Sequence, residues 1–416
     1  MISLPHLEPI GALAIVFLTI AVAGVISKSI RMTPILLEIS MGIILGASVL
    51  NVLELTPELT FLSDMGFIML MFLAGLEFTF HDLGEKLNKA TLIALPSMVV
   101  AIVFVVLIYP FGWFGVVELL LIGTIFSATS IGVTLPVLKN YISPDSKLYN
   151  TVLLAAMIID VGTITLAGLI IGFVSQPDAS IILLLEELII VAGFILLAFF
   201  AASKFNLYYF SKVDEDNENN WNIKFAFAVL GGVLLFGELL GVETPVAAFF
   251  AGMFVSQATH LGKEDEAKLD TIGYGFLIPV FFFVVGMQFD LSVLMDPLVI
   301  LQVTVIFLVG VGGKIVGTVL GGKLAGVDTK KSLLIGTSFS ASLSVGFAVL
   351  TLGTQANILS TTTFTIIATY ILLTTFFVPV TSKFIASIYD IRRPPRPSPL
   401  TGGLEDIADY SVMETA

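Results

Sequence analysis

A short stretch of small and polar residues occurs twice in the sequence: "GTIFSAT" at Gly123–Thr129 returns as "GTSFSAS" at Gly336–Ser342, 213 residues later. A second pair, "FLAGLEF" at 72–78 and "FVVGMQF" at 283–289, repeats at an offset of 211, and the dipeptide "TP" recurs at that same offset. Three matches at nearly one offset indicate that the chain consists of two related halves.

The sequence around these repeats is strongly apolar. Of the 416 residues, 57% are hydrophobic and 12% are charged, and the mean hydropathy is +1.03. A soluble domain of this length carries about twice that charged fraction. A helix needs about 20 mostly apolar residues to cross a bilayer. We therefore predict an all-α polytopic membrane protein with 13 transmembrane helices, called spans 1 to 13 here, at 10–27, 33–52, 61–79, 91–110, 115–138, 150–174, 180–202, 222–241, 244–259, 272–289, 297–322, 332–353 and 360–387.

The basic residues predict how these spans cross the membrane. All but one of the 19 Lys and Arg residues lie at or after the end of an odd-numbered span, and the exception is Lys314, in the middle of span 11. Basic residues collect in cytoplasmic loops. The N-terminus is therefore predicted outside and the C-terminus in the cytoplasm, with the chain in the inner or plasma membrane of the cell.

The repeat predicts the domain organisation. Its two copies lie in spans 5 and 12, and an odd shift of seven spans inverts the second copy. Inverted repeats are typical of secondary transporters. We predict a first repeat at about 10–174 (spans 1–6), a linker helix at 180–202 and a second repeat at about 222–387 (spans 8–13). These form a transmembrane domain over 1–388, and the Pro-rich cytoplasmic tail at 389–416 is predicted to be disordered.

Both copies of the repeat contain residues that weaken a helix at membrane depth. Span 5 includes "SATSIGVTLP" at 127–136, and span 12 includes "SFSASLSVG" at 338–346. Ser, Thr and Gly compete with or loosen helical backbone bonds, and irregular backbone inside a membrane is tolerated where it lines a cavity. We predict two discontinuous helices whose oxygens can ligate a small cation; close packing of small residues is the alternative. The predicted helix-break residues are Ser127, Gly132, Pro136, Ser340 and Gly346.

Two opposite charges lie inside apolar spans, and neither has a counterpart in the other half. They are Asp160 in span 6 and Lys314 in span 11. A bare carboxylate at the bilayer centre costs about 3 kcal/mol or more. Desolvation favours its protonated form and a nearby ammonium its charged form, so such an acid can exchange a proton for a cation near neutral pH. A static Asp160–Lys314 ion pair is the alternative. The predicted ion- and proton-binding residues are Asp160, Thr129, Ser130, Thr163, Ser342 and Ser344, with a monovalent cation at Asp160 and with Lys314 as charge partner.

Other classes of function find less support in the residues. The pI of 4.6 and the net charge of −13, without basic tracts, do not suggest nucleic-acid binding. The chain has no cysteine, and its three histidines lie at span ends, so no clustered metal site and no cofactor are expected. An intramembrane aspartyl protease needs two facing carboxylates, and only Asp160 is central. We therefore expect a transporter and not an enzyme.

Several of these stretches resemble the monovalent cation/proton antiporter superfamily, in its sodium/proton exchanger domain and its bacterial NapA/Kef-like branch. The resemblance covers about residues 10–388, and includes "FLAGLE", "SATSIGVTLPVLKN", "ELLGVETPVAAFFAGMFVS" and "IPVFFFVVGMQFDL", together with Asp160 and Lys314. It implies the sodium/proton antiporter fold, in which spans 5 and 12 cross. It also implies a separate dimerisation domain, hence a homodimer, and an elevator movement of the remaining core. Na⁺ or K⁺ and the proton compete for Asp160 in this mechanism.

The chain departs from these relatives at two places. Ile159 stands where they carry Asp, Asn or Gln, and Ser342–Ser344 reads Ser-Leu-Ser where many relatives have a charged Arg-Gly-Glu-like stretch. With one carboxylate, 1:1 exchange is the simplest stoichiometry; exchange would be electrogenic if Lys314 also released a proton. The alternatives to antiport are a transport-inactive membrane sensor and a cation channel on the same fold, and a bile-acid-type symporter, which has related crossed helices, is a further alternative.

Overall fold

The computed structural model describes residues 9–30, 34–76, 84–143, 146–174, 193, 220–240, 242, 244–258, 263–389 and 391. Within these ranges the chain is helical, with short turns between the helices. The helices are α1 (Pro9–Ile30), α2 (Pro34–Leu45), α3 (Pro57–Leu76), α4 (Gly84–Phe104), α5 (Val116–Ser127), α6 (Ile131–Leu138), α7 (Lys147–Val174), α8 (Trp221–Leu239), α9 (Thr244–Ala258), α10 (Lys263–Ile272), α11 (Ile278–Met287), α12 (Pro297–Leu324), α13 (Thr329–Phe339), α14 (Leu343–Gln355) and α15 (Thr361–Ile388). A π-helical turn, Gly273–Leu277, joins α10 to α11.

The helices agree with the predicted class of an all-α polytopic membrane protein. Among the described residues, nine helical stretches are long and apolar enough to cross a bilayer, and the pair α13–α14, bent by 45°, gives a tenth. The helices α2 and α9 are apolar but shorter. Span 7 lies outside the described residues apart from Gly193, and so does most of the predicted tail. The count of thirteen spans and the inverted repeat therefore stay predictions.

The predicted boundaries of spans 2 and 3 need correction. The helix α2 ends at Leu45 instead of continuing to 52, because the chain turns after it and Asn51 adopts a positive φ of 49°. The next helix begins earlier than predicted, at Pro57. Proline suits a first helical position because its missing N–H needs no partner there, and the Thr56 hydroxyl oxygen accepts from the Leu59 N–H at 3.3 Å.

The helices pack into two groups that have few contacts with each other. Bundle 1 contains α1–α3 and α8–α11, where α3 packs against α9 and α2 against α11. Bundle 2 contains α4–α7 and α12–α15, where α4 packs along α12. Between the bundles, α3 contacts α14 and α7 contacts α9. Each bundle therefore holds itself together by its own helix contacts.

The contact between α12 and α4 within bundle 2 depends on glycine. A Cβ atom on Gly317 or Gly321 of α12 would overlap carbonyl oxygens of α4 at Pro96 and Leu92. Small residues let backbones approach closely in membrane proteins, where helix association depends on packing. This contact fixes α12 against α4. It thereby sets the position of Lys314, which precedes Gly317 by one helical turn.

Candidate functional site

Two helices of bundle 2 are interrupted at mid-length. Between α5 and α6 the backbone is extended, with ψ of 154° at Ala128 and 107° at Ser130. Between α13 and α14 the helix stops over residues 340–342 and changes direction by 45°. Short hydroxyl side chains compete with helical backbone bonds, and Ser127 does so here: its Oγ donates to the Thr124 carbonyl oxygen at 2.7 Å.

Three predicted break residues lie within the helices that follow the interruptions, which corrects the prediction for them. Gly132 and Pro136 belong to α6, and Gly346 belongs to α14, where its N–H donates to the Ser342 carbonyl oxygen at 2.8 Å. The interruptions are shorter than the sequence predicts, because the chain leaves the helix only where the other interruption supplies new hydrogen-bond partners. Ser127 is the last residue of α5, and Ser340 lies within the second interruption.

The two interruptions contact each other directly. The Ser130 N–H donates to the Ala341 carbonyl oxygen at 2.6 Å. The Thr129 hydroxyl donates to the Phe339 carbonyl oxygen at 3.2 Å, and the Thr134 hydroxyl donates to that of Ser338 at 2.8 Å. The last carbonyl groups of a helix have no partner within it. The first interruption therefore caps the C-terminal end of α13.

Lys314 lies behind this crossing. Its side chain is 0% exposed, and its Nζ donates to the Ser127 carbonyl oxygen at the end of α5. A cation is favoured at a helix C-terminus, where the free carbonyls concentrate negative partial charge. The Ser127 hydroxyl in turn shares a 2.9 Å hydrogen bond with that of Thr163 on α7. Lys314 therefore ties α12 to α5, and Ser127 ties α5 to α7.

Asp160 lies halfway along α7, one turn before Thr163. It is 7% exposed and interacts electrostatically with Lys314. It also lines a cavity of about 220 Å³, together with Ser130 and Ser344. The carboxylate thus has both an ammonium and hydroxyl oxygens as neighbours, and it faces a space that can hold water and a small ion.

The predicted site residues include a set that lines the cavity and a set that does not. Asp160, Ser130 and Ser344 line it, and Gly132 does so as well. The others take part in contacts behind it: Thr129, Ser127, Thr163 and Lys314 through the bonds above, and Ser340 through a 3.0 Å bond from its hydroxyl to the Gly336 carbonyl oxygen.

Ser342 differs from the other residues at the crossing. Its hydroxyl is buried and makes no hydrogen bond of good geometry within the described part of the chain. The Tyr370 hydroxyl of α15 is a polar neighbour. Ser342 therefore provides an oxygen that is not used in holding the interruptions together.

The far wall of the cavity comes from bundle 1, and the sequence does not predict it. Ile35, Leu70, Ala74 and Tyr274 line this wall. Tyr274 has a local signal, because it stands in "GYGFLIP", where closely spaced glycines and a proline accompany the π-helical turn. Ala74 stands in the repeated stretch "FLAGLEF", but the repeat does not show that it faces a cavity. The site therefore lies where the two bundles meet.

The sequence matches the family described as sodium/hydrogen exchanger, transmembrane, over residues 14–387. The probable Na⁺/H⁺ antiporter 3 of Methanocaldococcus jannaschii is 28% identical over 350 residues, which make up 83% of this chain and 88% of that protein. The Na⁺/H⁺-K⁺ antiporter GerN of Bacillus cereus is 27% identical over 378 residues, 89% of this chain and 95% of that protein.

A solved structure has a similar fold. It is that of the sodium proton antiporter MjNhaP1 from Methanocaldococcus jannaschii at pH 8, with a TM-score of 0.68 and 17% sequence identity. The match covers 92% of this chain and 98% of that one. At this identity the likeness concerns the fold alone.

Proposed function

Because the chain belongs to the sodium/hydrogen exchanger transmembrane family, we propose that it exchanges a monovalent cation, Na⁺ or K⁺, for protons across the membrane. The cation and the proton compete for Asp160. Such exchange serves monovalent cation homeostasis and pH regulation. The observation that carries the proposal is the position of Asp160 at a cavity beside two interrupted helices.

The chemistry of the cavity supports this assignment. A small monovalent cation binds to oxygen atoms. A carboxylate flanked by hydroxyl groups supplies such atoms without holding the ion permanently. Asp160 contributes the only carboxylate among the described residues that line the cavity, and Ser130 and Ser344 contribute neutral oxygens. One carboxylate carries either a proton or a cation, so occupancy by one excludes the other.

Lys314 has a supporting role in this proposal. The ammonium group is held by the Ser127 carbonyl oxygen and is near enough to Asp160 to interact electrostatically. It therefore favours the charged carboxylate that a cation needs. A neighbouring positive charge also weakens cation binding, so the cation can leave once the site reaches the other side.

The packing of the helices supports an elevator movement. Asp160 and both interruptions belong to bundle 2, whereas bundle 1 supplies the opposite wall of the cavity. The contacts between bundles are few, so bundle 2 can slide along bundle 1 as a unit without losing its own core. Such a movement would carry Asp160 from one side of the membrane to the other.

The proposal also includes the orientation of the chain in the membrane, the membrane in which it lies and its assembly. The basic loops predict an external N-terminus, a cytoplasmic C-terminus and a place in the inner or plasma membrane. With this topology the lining residues Gly132 and Tyr274 lie on the cytoplasmic halves of their spans. The family resemblance implies a homodimer. A reporter enzyme active only in the cytoplasm should be active when fused after Ala416.

Ion-driven proton flux in proteoliposomes tests the function. Adding Na⁺, K⁺ or Li⁺ should move protons in the wild-type protein, and Asp160→Asn should abolish the movement because an amide cannot exchange a proton for a cation. The control is Glu266→Gln, which neutralises an exposed acid of α10 that does not line the cavity. Undiminished exchange in Asp160→Asn would refute the site.

The same assay distinguishes the alternatives. No flux with any cation in wild type would favour a membrane sensor. A cation current without coupled proton movement would indicate a channel. Repeating the assay with the membrane potential clamped by K⁺ and valinomycin separates 1:1 exchange, which is indifferent to the potential, from electrogenic exchange.

A further inference from the structure

A second cavity lies in bundle 2, away from Asp160. Its volume is about 360 Å³, and it opens where α4 and α7 begin and where α12 turns into α13. Lys89, Lys147 and Lys331 line it, one from each of α4, α7 and α13. It shares no lining residue with the cavity at Asp160.

Positive charge is concentrated in this cavity. Among the residues that line it, three are lysines and one, Asp328, is acidic. The Asp328 carboxylate is engaged as the N-cap of α13, where it accepts from the Lys330 N–H at 3.1 Å. Within the described ranges, none of the three lysines has an ion pair. Three ammonium groups beside one carboxylate leave the cavity with a net positive charge, although the whole chain has a net charge of −13.

The N-terminus of one helix adds to this positive field. The helix α7 starts at Lys147, whereas the Asp328 carboxylate already caps the N-terminus of α13. The first N–H groups of a helix lack partners within it and carry positive partial charge, which favours anions. The dipole of α7 and the three ammonium groups therefore all favour an anion in this cavity.

We propose that this cavity binds the phosphate group of an anionic ligand. Lysine ammonium groups are strong point charges for phosphate, and basic pockets between transmembrane helices on the cytoplasmic side bind phospholipid headgroups. The phosphate belongs either to an anionic phospholipid or to a soluble phosphorylated molecule. The bound anion links the starts of α4, α7 and α13. It thus braces the helix that carries Asp160 against the helix that leads into the second interruption.

Thermal unfolding of the purified full chain tests the proposal. One arm compares sodium phosphate with sodium chloride at equal Na⁺ concentration; the other compares detergent micelles containing phosphatidylglycerol with micelles containing phosphatidylcholine. A ligand that binds only the folded state raises the unfolding midpoint. The midpoint of the wild-type chain should rise by several degrees in at least one arm, and the rise should shrink at high ionic strength.

Lysine variants locate the effect. The rise should vanish when Lys89, Lys147 and Lys331 are all replaced by Gln, and it should persist in Lys383→Gln, which removes an exposed lysine of α15 outside the cavity. If the triple variant does not fold, each single variant should show a smaller rise than Lys383→Gln.

The two arms identify the source of the phosphate. A higher unfolding midpoint in inorganic phosphate indicates a soluble phosphorylated ligand. A higher midpoint only in micelles with phosphatidylglycerol indicates a lipid headgroup. The absence of a rise in both arms would overturn the proposal, as would an undiminished rise in the lysine variants.

Discussion

The buried ammonium group of Lys314 serves two neighbours at once. It donates a hydrogen bond to the Ser127 carbonyl oxygen, and its charge acts on Asp160. Burying a charge is costly unless it is paired and hydrogen-bonded, so both neighbours are needed to keep Lys314 charged inside the bundle. The stability of bundle 2 and the state of Asp160 are therefore coupled through one side chain.

Lys314→Met should destabilise the protein while preserving most of the side-chain volume. The variant leaves the Ser127 carbonyl group without its donor and Asp160 without its cationic neighbour, which we expect to cost about 1–3 kcal/mol. The measurement is the thermal unfolding midpoint, with Lys383→Gln as an exposed-lysine control that should leave it unchanged.

A double variant tests the coupling to Asp160. If the two charges stabilise each other, Asp160→Asn combined with Lys314→Met should lower the midpoint by less than the two single changes together. Interaction energies of about 0.5–3 kcal/mol are usual for coupled residues. Additive effects would show that Lys314 acts only through Ser127.

The structure explains why an apolar residue, Ile159, stands beside Asp160, and the sequence alone does not. It is 0% exposed, and it packs in an apolar cluster with Leu138, Ala155 and Phe339, whereas Asp160 faces the cavity. Asp160 and Lys314 can be recognised from sequence alone because a charge within twenty apolar residues is conspicuous. The direction in which the Ile159 side chain points depends on how distant segments pack. A local sequence pattern does not predict this packing.

Ile159→Asn should therefore destabilise the protein more than Ile159→Val. The amide is placed in an apolar cluster, and a buried polar group without a hydrogen bond costs about 1–3 kcal/mol, in addition to the lost packing. Removing one methylene group costs about 0.5–1.5 kcal/mol. Unfolding midpoints of the two variants give the comparison. Equal midpoints for Asn and Val would mean that position 159 has access to water or to a polar partner.

At the scale of helices, each interruption is stabilised by the other. The bond from Thr134 on α6 to Ser338 on α13 joins residues 204 positions apart. Clusters of Ser, Thr and Gly predict that the helices of spans 5 and 12 are interrupted, but they do not predict at which residue each helix stops. The stopping points depend on which carbonyl groups of the partner are within reach, and this is why Gly132, Pro136 and Gly346 remain helical.

Thr134→Val should weaken this crossing. The change keeps the shape of the side chain and removes the donor to the Ser338 carbonyl oxygen, and we expect a loss of about 1 kcal/mol. Thr134→Ser retains the hydroxyl and should lose less. The control is Thr304→Val, because Thr304 is exposed on α12 and donates only to Ile300 of its own helix, at 2.8 Å. If Thr134→Val unfolds at the same temperature as Thr304→Val, the Thr134–Ser338 bond does not stabilise the crossing.

At the scale of the whole molecule, the sequence predicts the helices better than their grouping. Apolar length is a local property, so twelve of the thirteen predicted spans have helical counterparts within the described ranges. The division into two bundles depends instead on close contacts such as that of α12 with α4, which involve residues far apart in sequence. The cavity wall formed by Ile35, Leu70 and Ala74 depends on that division, and no local pattern shows that these three residues face one cavity.

The bundles are linked at the end of α14 that lies away from the cavity. The Gln355 side-chain amide donates to an Asp64 carboxylate oxygen of α3 at 3.1 Å. Gln355 ends α14, whereas Leu343 and Ser344 at its start line the cavity. At 1.5 Å per residue these ends are about 18 Å apart. The cavity thus lies at the start of α14, and the hydrogen bond between the bundles lies at its end.

Cross-linking across this contact should stop exchange if bundle 2 slides along bundle 1. The chain has no native cysteine, so Asp64→Cys combined with Gln355→Cys can be joined by a short, reducible thiol-reactive linker. Proton flux in proteoliposomes should fall to background after linking and return after reduction. The matched control is Glu118→Cys with Thr363→Cys, whose native side chains are 3.1 Å apart within bundle 2. That link should leave exchange intact because its two ends move together. Exchange that continues through a complete Asp64–Gln355 link would exclude sliding of the bundles and require the ion to cross by a smaller movement within bundle 2.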